Sequence, residues 1–158
     1  MTIHIKNNIV KKYFLSRNIS LFYNELYWLE KLKKYKFIPK IIDVDYKNYV
    51  ISLSYVGEKI SNYNSPKNWS YQLKRILHHL KKNNCLHSDI KPDNLLVKNK
   101  RLYLIDFAQS IKISDLKKNI FHKKKIFFDQ YSINRISLSI NKNLLLSNDL
   151  RVFVIWDK

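Results

Sequence analysis

The chain has 158 residues, 46% of them hydrophobic, which suits one compact unit with a real core. Thirty Lys and Arg against twelve Asp and Glu leave a formal net charge of +18, a field that would draw RNA, an anionic membrane face or a phosphorylated substrate without choosing among them. The lone Cys85 excludes an internal disulfide, no Cys/His cluster has zinc spacing, and no run reaches the ~18 apolar residues of a membrane span. A soluble protein of the reducing cytoplasm is therefore expected.

Glycine occurs once and proline three times, so tight turns must come from Asn and Asp, which tolerate left-handed backbone better than other side chains. Ile3 to Phe14 mixes β-branched and basic residues around Asn7-Asn8 and predicts a hairpin. From Asn18 to Tyr35, Phe22, Leu26, Leu29 and Leu32 recur at helical spacing, with Glu25 and Glu30 on other faces. Ile41 to Tyr46 and Tyr49 to Tyr55 read as strands about Lys47-Asn48, and Gly57 ends this sheet. Pro66 opens a second helix with a stripe of Leu73, Ile76, Leu77 and Leu80, running to about Asn83. Leu95 to Val97 and Leu102 to Ile105 form a second hairpin about Asn99-Lys100. Beyond Asp106 the pattern weakens: residues 126–140 fit helix and strand about equally, and Leu150 to Trp156 is an apolar run suited to a core strand or a docking tail.

The strongest chemical signal is His87-Ser88-Asp89-Ile90-Lys91-Pro92-Asp93-Asn94, followed by Leu-Leu-Val and then Ile105-Asp106-Phe107. Phosphoryl transfer needs a carboxylate beside the attacking hydroxyl, and oxygen ligands that hold Mg²⁺ against the ATP phosphates. A helix, a loop, a short hairpin and an aspartate at its far end can bring these groups together.

These residues resemble the catalytic loop and metal motif of the protein-kinase superfamily. The resemblance implies an α+β, truncated two-lobed fold in a single kinase-like domain, residues 1–57 being a small N-lobe and 58–158 a reduced C-lobe. It implies an ATP- and Mg²⁺-dependent phosphotransferase, an atypical serine/threonine kinase, with Asp89 as catalytic base, Lys91 steadying the transferred phosphoryl, Asn94 and Asp106 as metal ligands, and His87 pinning the loop. Ile9-Val10-Lys11 resembles the strand lysine that grips the α- and β-phosphates, with Glu25 as its ion-pair partner and Lys12 as the alternative lysine. Ser54, Tyr55 and Val56 resemble the hinge that meets adenine through backbone groups.

Departures from the common pattern narrow the likeness. No glycine-rich loop can exist with a single glycine at position 57, Ala108 stands where the metal motif usually has glycine, and Ala-Pro-Glu is absent. Such a short kinase resembles the RIO-type kinases, the small kinases of tRNA-modification complexes and lipopolysaccharide kinases. Ile-Asp-Phe-Ala-Gln-Ser is nearest the RIO form, and Asp129 with residues 131–136 fits it loosely. Two other classes remain open: a nucleotide-binding pseudokinase scaffold, motivated by the missing glycine loop, and a basic RNA- or ribosome-associated protein with ATPase activity. Lys33, Lys34, Lys36, Lys123, Lys124 and Lys125, clustered near aromatics, would serve the second. A sugar hydroxyl or water could also replace the protein acceptor.

Overall fold

Backbone alternation organises the first half of the chain. The computed structural model describes residues 1–118. Strands β1 (Thr2–Lys6), β2 (Ile9–Tyr13), β3 (Ile41–Asp45) and β4 (Val50–Ser54) form an antiparallel sheet in the order β1-β2-β4-β3. β4 lies between two neighbours and buries Val50, Ile51, Ser52 and Leu53 in succession, as expected of a strand covered on both faces. Helix α1 (Ile19–Leu32) buries Phe22, Trp28, Leu29 and Leu32, and Phe22 meets Phe14 edge-on with ring centroids 5.6 Å apart.

The second half carries helix α2 (Trp69–Lys82), the short sheet β5 (Glu58–Lys59), β7 (Leu95–Lys98) and β8 (Arg101–Leu104), and a two-stranded pairing of β6 (Cys85–Leu86) with β9 (Ile111–Lys112). The two halves share one buried cluster that runs from Phe14, Phe22 and Leu29 through Leu73, Leu80 and Leu95 to Leu104 and Phe107. A backbone bond from Leu104 N–H to Phe37 O, 3.0 Å, ties them as well. The architecture is α+β, as the sequence predicts.

Both predicted hairpins turn on two residues in left-handed backbone: Asn7 and Asn8 at φ 52° and 60°, Asn99 and Lys100 at φ 52° and 58°. That geometry matches the right-handed twist of the flanking strands. Asparagine thus supplies the turns that glycine usually would. α2 starts at Trp69 rather than Pro66, because residues 66–68 form a preceding turn closed by Trp69 N–H on Pro66 O at 2.9 Å. Gly57 is fixed by sterics: its φ is +108°, and a Cβ there would lie 2.0 Å from Val97 O, where β5 approaches β7. The apolar segments expected at 126–140 and at Leu150 to Trp156, together with Asp129 and Lys123 to Lys125, lie outside the described residues. Among the described residues no helix is long and apolar enough to cross a membrane.

Candidate active site

Side chains alternate between the faces of a strand, so Val10, Lys12 and Phe14 share the inward face of β2 and its continuation while Lys11 points to solvent. The consequence is a correction: Lys12, not Lys11, meets Glu25. Lys12 is 5% exposed, and its Nζ donates to both Glu25 carboxylate oxygens at 2.6 Å and to Asp106 Oδ1 at 3.0 Å. Burial opposes the Lys12 charge, but the carboxylates of Glu25 and Asp106 override it and hold the ammonium above its ordinary range. Burial pushes Glu25 upward while Lys12 pulls it back. With Nζ against both oxygens, the ion pair is the form that satisfies the contact.

The loop after β6 presents the other group. Asp89 Oδ2 accepts from Lys91 Nζ at 2.8 Å and from Asn94 Nδ2 at 2.9 Å, and the same amide donates to Asp89 O at 2.8 Å. The Lys91 ammonium is held above its ordinary range chiefly by that bond to Asp89, with Asp106 and Asp93 adding to it. Asp89, Lys91 and Asn94 therefore come together, and Asp106 lies near enough to act on the same ammonium.

His87 joins the two loops. Its Nε2 meets Ile105 O at 3.0 Å, and Asp89 N–H reaches its Nδ1 at 3.3 Å, so the neutral ring with hydrogen on Nε2 satisfies both contacts. Complete burial pushes its pKa down from 6.5 to about 4. An unfolded chain binds a proton at this residue below about pH 6.5 that the folded chain refuses until about pH 4. Stability is thus expected to fall as pH drops through that window, by about 3 kcal/mol in total. An NMR titration of the ring checks this: it should stay neutral at pH 5, and titration near pH 6.5 would exclude the pinning role.

Further contacts, unpredicted from sequence, dock α1 on the Asp106 loop. Asn24 Nδ2 donates to Ala108 O and Ser110 O, both at 2.8 Å, and Trp28 Nε1 donates to Ser110 O at 3.2 Å. Asp106 itself sits in left-handed backbone at φ 66°, as does Ser88 at φ 71°. Two non-glycine residues in that region, each beside a chemically committed loop, are where strain concentrates in functional sites. At the predicted hinge, Tyr55 N–H is taken by Asn8 O at 2.9 Å and Tyr55 O by Lys98 Nζ at 3.0 Å, and Ser54 N–H by Lys40 O at 2.8 Å. Of the three hinge residues, Val56 makes no backbone–backbone hydrogen bond among the described residues.

The donor set suits a hard divalent cation. Asp106 gives one oxygen to Lys12 and keeps the other, and the Asn94 amide nitrogen is spent on Asp89, which leaves its Oδ1 for a cation. Among the described residues no cluster of three or more His, Cys, Asp or Glu could hold a metal alone. Mg²⁺ needs no such cage, since it is held through one or two protein oxygens together with nucleotide phosphates and water.

A buried lysine–glutamate pair on a sheet and its helix, touching the aspartate that ends a hairpin, with an Asp-x-Lys-x-x-Asn loop alongside, defines a truncated protein-kinase-like fold. The RIO domain family model matches residues 6–131, and the chain belongs to that family of atypical kinases, with the ATP-dependent phosphotransferase function that membership implies. No curated protein matches the chain.

Proposed function

We propose that the chain transfers the γ-phosphoryl group of Mg·ATP to a hydroxyl, with a protein serine or threonine as acceptor, and that residues 1–57 and the remainder act as its two lobes. The observation that carries the reading is the convergence of Asp89, Lys91 and Asn94 with Asp106 and the Lys12–Glu25 pair around the buried His87. Asp89 takes the proton of the acceptor hydroxyl as its oxygen bonds to the γ-phosphorus, and the bond from that phosphorus to the β–γ bridging oxygen breaks to release ADP. Lys91 balances charge on the transferred group, Lys12 holds the α- and β-phosphates, and Glu25 keeps Lys12 in place. Asn94 and Asp106 would hold Mg²⁺, which neutralises phosphate charge when bound. Val56 offers its backbone to adenine. With one glycine, at position 57, the chain has no glycine-rich loop to bring backbone amides close to phosphate, and its grip on phosphate is weaker for that.

γ-Labelled ATP with Mg²⁺ and protein acceptors tests this reading. Label is expected on protein serine or threonine, with ATP raising the melting temperature, and with both effects lost in Asp106→Asn. ADP without labelled acceptor would mean hydrolysis, and stabilisation by ATP without ADP would mean a nucleotide-binding scaffold. Absence of label and of ADP would remove the proposal.

A further inference from the structure

Two cavities of about 530 and 540 Å³ lie on a face built by the α1–β3 connection, α2, the β7–β8 turn and residues 54–56. They share Lys34, Tyr35, Lys36 and Arg101, so they form one groove, and none of Lys12, Glu25, Asp89, Asn94 or Asp106 lines either. Among the described residues, eight Lys or Arg side chains line the two together, including Lys34, Lys36, Arg75, Lys98, Lys100 and Arg101, and no Asp or Glu does. Of the eight only Lys33 has an ion-pair partner among the described residues, Glu30 at 2.9 Å. The His79 ring is held below its ordinary pKa first by partial burial, then by its neighbour His78, and further by Arg75, Lys82 and Lys34, in keeping with a positive field there. Such crowding of like charge repels itself until a polyanion neutralises it.

The rings decide which polyanion. Tyr35 stacks on Phe37 at 5.3 Å between centroids, and Phe37 on His79 at 6.0 Å. Tyr71, 60% exposed on the same groove, has the Arg75 guanidinium 5.9 Å from its centroid, and Lys98 lies 5.6 Å from that of Tyr55. An acidic peptide or a lipid headgroup uses the cations and has no planar partner for the rings. Unpaired bases have both a phosphate chain and faces that stack, whereas duplex bases are already stacked on one another. We propose that this groove binds single-stranded nucleic acid, phosphates on the Lys and Arg side chains and bases on the aromatic rings.

The test is fluorescence anisotropy of a labelled oligouridylate of about ten nucleotides with the full chain, without ATP, across a salt series. Binding read without nucleotide fails or succeeds separately from phosphoryl transfer. Affinity should fall steeply with salt. Replacing Lys36, Lys100 and Arg101 together by Gln should cut the slope of log K against log salt by about 2, at about 0.7 per phosphate contact. Tyr71→Ala should weaken binding by about 5- to 150-fold through one lost stack. An unchanged slope in the triple variant, unchanged affinity in Tyr71→Ala, or equal binding of polyglutamate, polyphosphate, duplex RNA or anionic vesicles would overturn the assignment.

Discussion

Replacing Asp89 by Asn is expected to lower the rate of phosphoryl transfer by about 10²- to 10⁴-fold while leaving ATP binding in place. The substitution keeps the planar side chain and one acceptor oxygen, but it removes the negative charge and basicity of the carboxylate that Lys91 and Asn94 hold in position at 2.8 and 2.9 Å. Asn cannot accept the hydroxyl proton at neutral pH, so the loss should fall on the chemical step and not on nucleotide affinity. The Asp89 side chain is 36% exposed, so the isosteric change leaves the fold in place. Single-turnover transfer measured beside ATP-dependent melting separates the two effects. A rate within a few-fold of wild type would move the base elsewhere, and loss of ATP binding would make Asp89 a binding residue instead.

The sequence was most informative where chemistry and local geometry coincide. Asn7-Asn8 and Asn99-Lys100 announce their hairpins because few residues other than asparagine sit comfortably at positive φ. The stripe Leu73, Ile76 and Leu80 is both periodic and buried, so α2 was legible to within its first turn. The loop from His87 to Asn94 was legible because it combines a turn with a fixed order of charged groups. What escaped depends on partners distant in sequence. β5, β6 and β9 are two-residue strands, too short for any alternation, and they exist through pairings such as Leu86 with Ile111. Asn24 reads as one more polar residue on an amphipathic helix, yet its amide reaches two carbonyls beyond Asp106. The hinge was located by likeness to a strand end, but which backbone groups stay unspent depends on Asn8, Lys40 and Lys98.

Strand alternation identifies the inward lysine on β2. Phe14 is the large apolar residue that must face inward, and a period of two places Lys12 on its side and Lys11 opposite. The structural difference between adjacent lysines yields a large predicted contrast. Lys12→Met keeps the length of the side chain and removes its charge, leaving Glu25, 1% exposed, without the cation that its carboxylate needs. Breaking one side of such a buried pair costs about 3 to 5 kcal/mol. The Lys12 pKa is raised, so its contribution is complete below the unfolded value of 10.5 and is lost as pH rises through its folded value. Lys11→Met, on the exposed face, should move stability by no more than about 0.5 kcal/mol. Urea unfolding of both variants checks the contrast, and Lys12→Met combined with Glu25→Leu should recover much of the lost stability because no buried charge is then orphaned. ATP affinity should not return in that double variant, since the cation proposed to hold the phosphates is still missing. Equal stability of Lys11→Met and Lys12→Met would show that this ion pair does not hold the sheet to α1, and recovery of ATP binding without Lys12 would show that it does not serve the nucleotide.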